Sequence, residues 1–362
     1  MAAEPRLDAW LTVLNELDGT DLLLTDGSKP LLRIGGRLVP LEESDPLTGE
    51  EIEVIARNQI ADEYGDRLHL GKEVDFSFSW RNRARIRANA FYQRNTCALS
   101  LRRIPMDIPR PEDLGLPDEL TALLDSPGGL ILVTGPSNSG KSTSIASMID
   151  MINRRRPCHI VTIEDPIEYL HPNRCSVVSQ REVGTDTESF VTALRSVPRE
   201  DPDVVLVGEL HDHESIASAI TIAESGHLVI TTLHTNDSAH SLDRLIDVFP
   251  AWRRSQIRVQ LAGTLLAVLY QRLVATLDGG AVAAYELMLA NAEVRSLIRD
   301  GRTRQLRRVV ASHSGDGMQT MEAHLTALVQ AGRIDYEAAL AASIHPQEIQ
   351  RPVQVAAGSR GT

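Results

Sequence analysis

Gly129-Leu-Ile-Leu-Val-Thr134 followed by Gly135-Pro136-Ser137-Asn138-Ser139-Gly140-Lys141-Ser142 is the stretch that decides the fold. Its first half is an unbroken apolar run, the pattern of a strand buried on both faces. Its second half fits the phosphate-loop pattern GxxxxGK[ST], and Thr143–Ile152 after it has helical spacing. Glycines in such a loop let backbone N–H groups turn inward around phosphate oxygens, and the helix N-terminus adds the positive end of its dipole. Lys141 is then expected to neutralise the β and γ phosphates of a nucleotide and Ser142 to ligate magnesium, with Thr143 opening the helix beside them. Lysine is rare in this chain. Only Lys29, Lys72 and Lys141 occur among 37 basic residues, so a lysine kept at this position carries information.

Outward from this stretch, further apolar runs occur at His159–Ile163, Asp203–Val207 and His227–Thr232, separated by helical spacing. That alternation predicts a parallel sheet in an α/β domain. From Asp243 onward the pattern reads as helical except for Ala281–Met288, and Leu261–Tyr270 reads as its most apolar helical stretch, about half a membrane span. Upstream the chain reads as mixed α and β. Leu7–Leu17 has helical spacing, Asp21–Thr25 and Leu31–Ile34 read as short strands, and Val74–Trp80 and Ala84–Phe91 alternate. Thr48 is placed to cap a helix over Thr48–Ile60, with Glu51 completing a capping box. Pro105, Pro109 and Pro111 break the pattern. The expected division is an N-terminal α+β domain at 1–105, a linker at 106–118, an α/β phosphate-loop domain with C-terminal helices at 119–346, and a disordered tail at 347–362.

The 362 residues carry 37 basic and 49 acidic side chains, a formal charge of −12. This balance argues against a protein that coats nucleic acid. With 42% hydrophobic and 24% charged residues, the chain can bury cores, which excludes disorder as its dominant state. Three cysteines, Cys97, Cys158 and Cys175, with no CxxC pairing, argue against a disulfide scaffold or zinc site. The start, MAAEPRLDAW, has early acidic residues and no apolar segment, so a cytoplasmic location is expected.

Three more segments accompany the phosphate loop. Asp203-Val-Val-Leu-Val-Gly208-Glu209 is an apolar strand ending in an acid able to hold a magnesium shell or an attacking water. Ile163-Glu164-Asp165-Pro166-Ile167-Glu168 concentrates three carboxylates after a strand, and Ser225–Thr235 brackets another strand with His227 and His234. The ordered series, with EDPIE and GHLVITTLHT at its centre, resembles the secretion ATPases that drive type IV pili and type II secretion. There these segments are the Walker A, Asp box, Walker B and His box. The resemblance spans nearly the whole chain and implies a PAS-like N-terminal domain, a RecA-like ATPase domain, ATP with Mg2+ as cofactors, and a homohexameric ring. It further implies Glu168 as general base, Glu209 organising magnesium and water, and His227 and His234 at the γ-phosphate region.

Arg81, Arg83, Arg85 and Arg87 recur at every second position, which on one strand would put all four on one face. The bland reading is a solvated edge. By resemblance, RIRANAFYQ and LSLRRIP bring forward Arg87 and Arg102, then Arg85, as charge-neutralising arginines, and leave Arg81 and Arg83 as surface. Glu293-Val-Arg-Ser-Leu-Ile-Arg-Asp300 and Gly317-Met-Gln-Thr-Met321 resemble the AIRNLIRE and GMQTL segments of the PilT-type retraction group. Extra N-terminal domains and a four-cysteine insertion, common in the assembly and secretion groups, are not seen in this sequence. The implied role is pilus retraction at the inner face of the cell membrane through a membrane platform protein, without direct contact with nucleic acid. An extension or secretion motor, a RecA-like nucleic-acid translocase and a regulator without catalysis are the alternatives. Asn138, Pro198 and His211 depart from the family pattern without removing a phosphate or magnesium ligand.

Overall fold

The computed structural model describes residues 3–60, 68, 73–81, 83–105, 107–210, 212–235 and 237–351. His211 and residues 352–362 of the expected tail lie outside that set. The chain divides into two units: residues 1–107 with 168–170, and residues 108–167 with 171–362.

In the first unit, six strands form one sheet: β1 (Asp21–Leu24), β2 (Leu31–Ile34), β3 (Arg37–Pro40), β4 (Val74–Trp80), β5 (Ala84–Gln93) and β6 (Thr96–Pro105). Their spatial order is β3-β2-β1-β6-β5-β4, every pair antiparallel. Leu7, Trp10, Leu11 and Leu14 of helix Ala3–Glu16, with Ile52 and Ile55 of helix Gly49–Arg57, pack against Leu22, Ile86, Leu99 and Leu101. Thr48 and Glu51 form the reciprocal capping box that their spacing predicts. The register sets Arg87 opposite Arg102, Arg102 opposite Asp21, and Asp21 opposite Arg33, one charged row across four strands. The expectation of four arginines on one strand is corrected. Trp80 ends β4 and Ala84 begins β5, so Arg81 and Arg83 occupy the hairpin turn. Arg81 has φ 48° there and pairs with Asp8.

The second unit holds a seven-stranded sheet: β7 (Gly129–Thr134), β8 (His159–Glu164), β9 (Val177–Glu182), β10 (Val204–Val207), β11 (Leu228–Leu233), β12 (Leu265–Ala275) and β13 (Ala281–Leu289). The order is β13-β12-β7-β11-β10-β8-β9. All strands are parallel to their neighbours except β13, which returns antiparallel along β12. Helices cover both faces, so β7, β10 and β11 are buried at every residue. Leu130 and Leu132 enter one core with Ile216, Ile220, Leu242 and Leu261. Ile131 and Val133 enter the opposite core with Leu120, Ile145, Ile149 and Ile152. Period-two alternation thus divides one apolar run between two layers.

Three sequence expectations change here. Leu265–Ala275 is a strand, not the later part of an apolar helix, and among the described residues no helix is long and apolar enough to cross a membrane. The second unit begins at Ile108, and Leu116 of the supposed linker lies in its core. Residues 347–351 are ordered: Pro346–Glu348 is a 3-10 turn, Ile349 is buried, and Glu348 pairs with Arg307.

His171 is buried, its Nδ1 without a partner, and burial pushes its pKa down to about 4. The unfolded chain takes up this proton near the ordinary 6.5, so stability is full above that value and falls as pH drops towards 4. The loss is expected to be on the order of 3 kcal/mol. Urea unfolding at pH 7 and 4.5 should show a drop that His171→Gln reduces; an equal drop in both proteins would refute the assignment.

Candidate functional site

Parallel strands place their C-terminal ends on one edge, and the loops that leave that edge carry the candidate residues. Gly135 N–H donates to Leu233 O at 3.3 Å, so the phosphate-loop pattern and His234 start side by side. The loop turns through Gly135 at φ 149°, Asn138 at φ 60° and Gly140 at φ 85°. Asn138 accepts the left-handed conformation because its short polar side chain tolerates it better than most. A β-carbon at Gly135 would collide with the Gln271 carbonyl oxygen, and one at Gly140 would lie 2.8 Å from Gln271 Nε2. Both glycines are therefore needed for close packing as well as for backbone freedom.

Helix Lys141–Arg155 starts directly from Gly140, which supplies no side-chain cap for the first-turn donors. Ser139 Oγ, buried in the same loop, has no hydrogen-bond partner. An orphaned hydroxyl on a glycine-lined turn at a helix N-terminus fits a bound phosphate. Lys141 is 7% exposed, and its ammonium donates to Gly135 O at 3.0 Å and Pro136 O at 2.8 Å. Ser137, Asn138 and Ser142 are exposed.

Lys141 Nζ also lies 3.4 Å from His234 Nδ1, and His234 Nε2 lies 3.1 Å from Glu209 Oε1. A proton on Nε2 satisfies both contacts, since it donates to the carboxylate and leaves Nδ1 to accept from the ammonium. The His234 carbonyl accepts from Arg244 at 2.7 Å, and Thr232 Oγ1 donates to Gly208 O at 2.5 Å, which ties the ends of β10 and β11. Lysine, imidazole and carboxylate thus form one chain across three loops.

The remaining candidates do not join this chain of contacts. His227 precedes β11 and contacts Ser225 and the Ile222 carbonyl. It stands at the end of the strand opposite His234, about 20 Å away. The expectation that both histidines meet the γ-phosphate is not met within one chain. Glu168 is half-buried and falls in the first unit. Arg87 is exposed, whereas Arg102 donates to Asp21 at 2.8 Å and Arg85 to Ser77 Oγ at 2.5 Å.

Gln271 was missed by sequence reasoning. It is 2% exposed, its Nε2 donates to Ser139 O at 2.6 Å, and its Oε1 accepts from Ser144 Oγ at 2.9 Å. The signal that could have found it is Asp278-Gly279-Gly280, a turn between two apolar runs that marks β12 and β13 as a hairpin. Behind the loop, Ser144, Ser147, Asp150 and Asn153 recur every third residue, all buried. Asn153 bonds Pro172 O at 2.7 Å and the Arg174 N–H at 3.2 Å, and Asp150 pairs with Arg154.

Fold and site together define an α/β protein with a strand–glycine loop–helix cradle facing a lysine–histidine–carboxylate chain. The model of the type II/IV secretion system protein family matches residues 52–308, and the chain belongs to that family. A twitching motility protein of Neisseria gonorrhoeae is 44% identical over 313 residues, 86% of this chain and 83% of the relative. The type IV pilus retraction ATPase PilT of Pseudomonas aeruginosa is 40% identical over 318 residues, 88% and 92% of the two chains. A crystal structure of the pilus retraction motor PilT with bound ADP superposes with TM-score 0.88 at 43% identity, covering 94% of this chain and 98% of that one.

Proposed function

We propose that this chain is an ATP-hydrolysing motor that powers retraction of type IV pili. The observation that carries the reading is the end-to-end likeness to a retraction motor with bound ADP, at 43% identity over 94% of the chain. In this reading the second unit is a RecA-like ATPase domain and the first a PAS-like domain. Residues Gly135–Thr143 hold the nucleotide phosphates, Lys141 neutralises them, and Ser142 with Glu209 holds Mg2+, which would screen phosphate charge. Glu209 also orders the attacking water, Glu168 takes its proton, and His234 relays the position of the carboxylate to the lysine. The motor is a homohexameric ring in the cytoplasm, docked to a platform protein at the inner face of the membrane.

Deleting the gene tests the biological reading. A piliated strain that neither retracts pili nor twitches, restored by the parent gene but not by a Lys141→Ala gene, is the expected result. A strain without pili would instead favour extension.

Glu209→Gln and Glu168→Gln test the chemistry. Each is expected to lower turnover by about 10²- to 10⁴-fold while ATP binding survives, because these groups act on the transition state. Turnover at the parent rate in either variant would remove that residue from the mechanism.

A further inference from the structure

The contacts of Gln271 extend the phosphate-cradle reading to a residue on a different strand. Its carboxamide uses both ends, donating to the loop at Ser139 O and accepting from the helix at Ser144 Oγ. Its backbone carbonyl lies against Gly135, and its Nε2 sits where a Gly140 β-carbon would be crowded. One residue therefore touches the beginning of the loop with its backbone, and the end of the loop and the following helix with its side chain. Tyr270 pairs with Thr134 in the parallel register, so β12 delivers Gln271 beside the first residue of the loop. Within the loop the Lys141 ammonium ties down Gly135 O and Pro136 O, but at its other end Ser139 Oγ is unpartnered and Asn138 holds a positive φ. A loop that presents N–H groups to phosphate is useful only when those groups point inward before the ligand arrives.

We propose that Gln271 is a positioning residue that holds the phosphate loop in its binding shape from the neighbouring strand. The amide bond to Ser139 O fixes the turn ahead of Lys141, and the bond from Ser144 fixes the first turn of the helix. Loss of both leaves the loop free to fold in other ways, and the nucleotide must then select the binding shape from that ensemble. The proposal rests on reading Gly135–Thr143 as the phosphate cradle.

The test uses the full chain, a fluorescent ADP and ATP turnover. Gln271→Met keeps the volume and removes both bonds; Ser144→Ala removes one. Gln271→Met is expected to weaken ADP binding by about 10- to 100-fold and Ser144→Ala by about 2- to 10-fold. KM for ATP should rise in the same proportion, while kcat falls less. Melting of the free protein, followed alongside, reports packing alone. A lower melting temperature with ADP affinity within twofold of the parent overturns the proposal, and Ser144→Ala supplies the same comparison if Gln271→Met does not fold. Lys141→Ala in parallel separates the two readings. If it also leaves ADP affinity unchanged, the cradle itself is wrongly placed; if it alone loses affinity, only the role of Gln271 falls.

Discussion

Lys141→Ala is expected to abolish ATP turnover, at least about 10³-fold, and to weaken nucleotide binding by about 10- to 100-fold. The ammonium is buried, held by two loop carbonyls, and within 3.4 Å of His234. A polyphosphate in this cradle offers the ammonium far more negative charge than the loop carbonyls do, so the ammonium is expected to turn toward it. Turnover measured by phosphate release and affinity measured by a fluorescent nucleotide check the two parts separately. Near-parent values for both would reject the phosphate-loop assignment. Lys141→Arg is expected to rescue poorly, because a planar guanidinium cannot reproduce a compact charge in so close a space.

The second large effect is expected from Arg87. Phosphoryl transfer spreads negative charge over the γ-phosphate oxygens, and a guanidinium supplies paired donors to that charge. Arginines in this role contribute about 10³- to 10⁵-fold in rate. Arg87 and Arg102 stand opposite each other on β5 and β6, yet they are not equivalent. Arg102 is bound to Asp21, which Arg33 also approaches at 3.5 Å, whereas Arg87 is exposed and no salt bridge to it is found among the described residues. Arg87→Ala is therefore expected to bind ATP, form rings and hydrolyse at least about 10³-fold more slowly, with a smaller loss for Arg102→Ala. Arg81→Ala, in the hairpin turn, should turn over ATP near the parent rate. Equal, mild losses at all three positions would return the row to a solvated sheet edge.

The parts of the fold legible in sequence were those whose pattern has a single reading. A six-residue apolar run before a glycine loop is a buried strand, and Thr48 with Glu51 is a helix start. Leu265–Ala275 misled because leucine and alanine are strong helix formers, and burial on both faces erases the alternation that marks a strand. The Arg81–Arg87 row misled for a different reason. Period two survives in sequence across a tight turn, but the strand does not. For the site, spacing pointed to Lys141, Glu209 and His234, since each follows an apolar run and the parallel sheet gathers the ends of such runs. Gln271 escaped because it ends no motif. Its position depends on which strand neighbours β7, and that is a fact of topology.

The helix behind the phosphate loop is fastened at both ends by directional bonds, through Ser144 to Gln271 and through Asn153 to Pro172 and Arg174. Apolar packing tolerates small axial slip, whereas hydrogen bonds of fixed length and angle do not. Fifteen residues at about 1.5 Å each make a helix of roughly 22 Å, with a bonded contact near either end to resist sliding and rotation. A shift of the phosphate loop is then expected to carry the far end of this helix with it. A stiff member of this kind lets a small change at a phosphate bear load rather than dissipate in a yielding core.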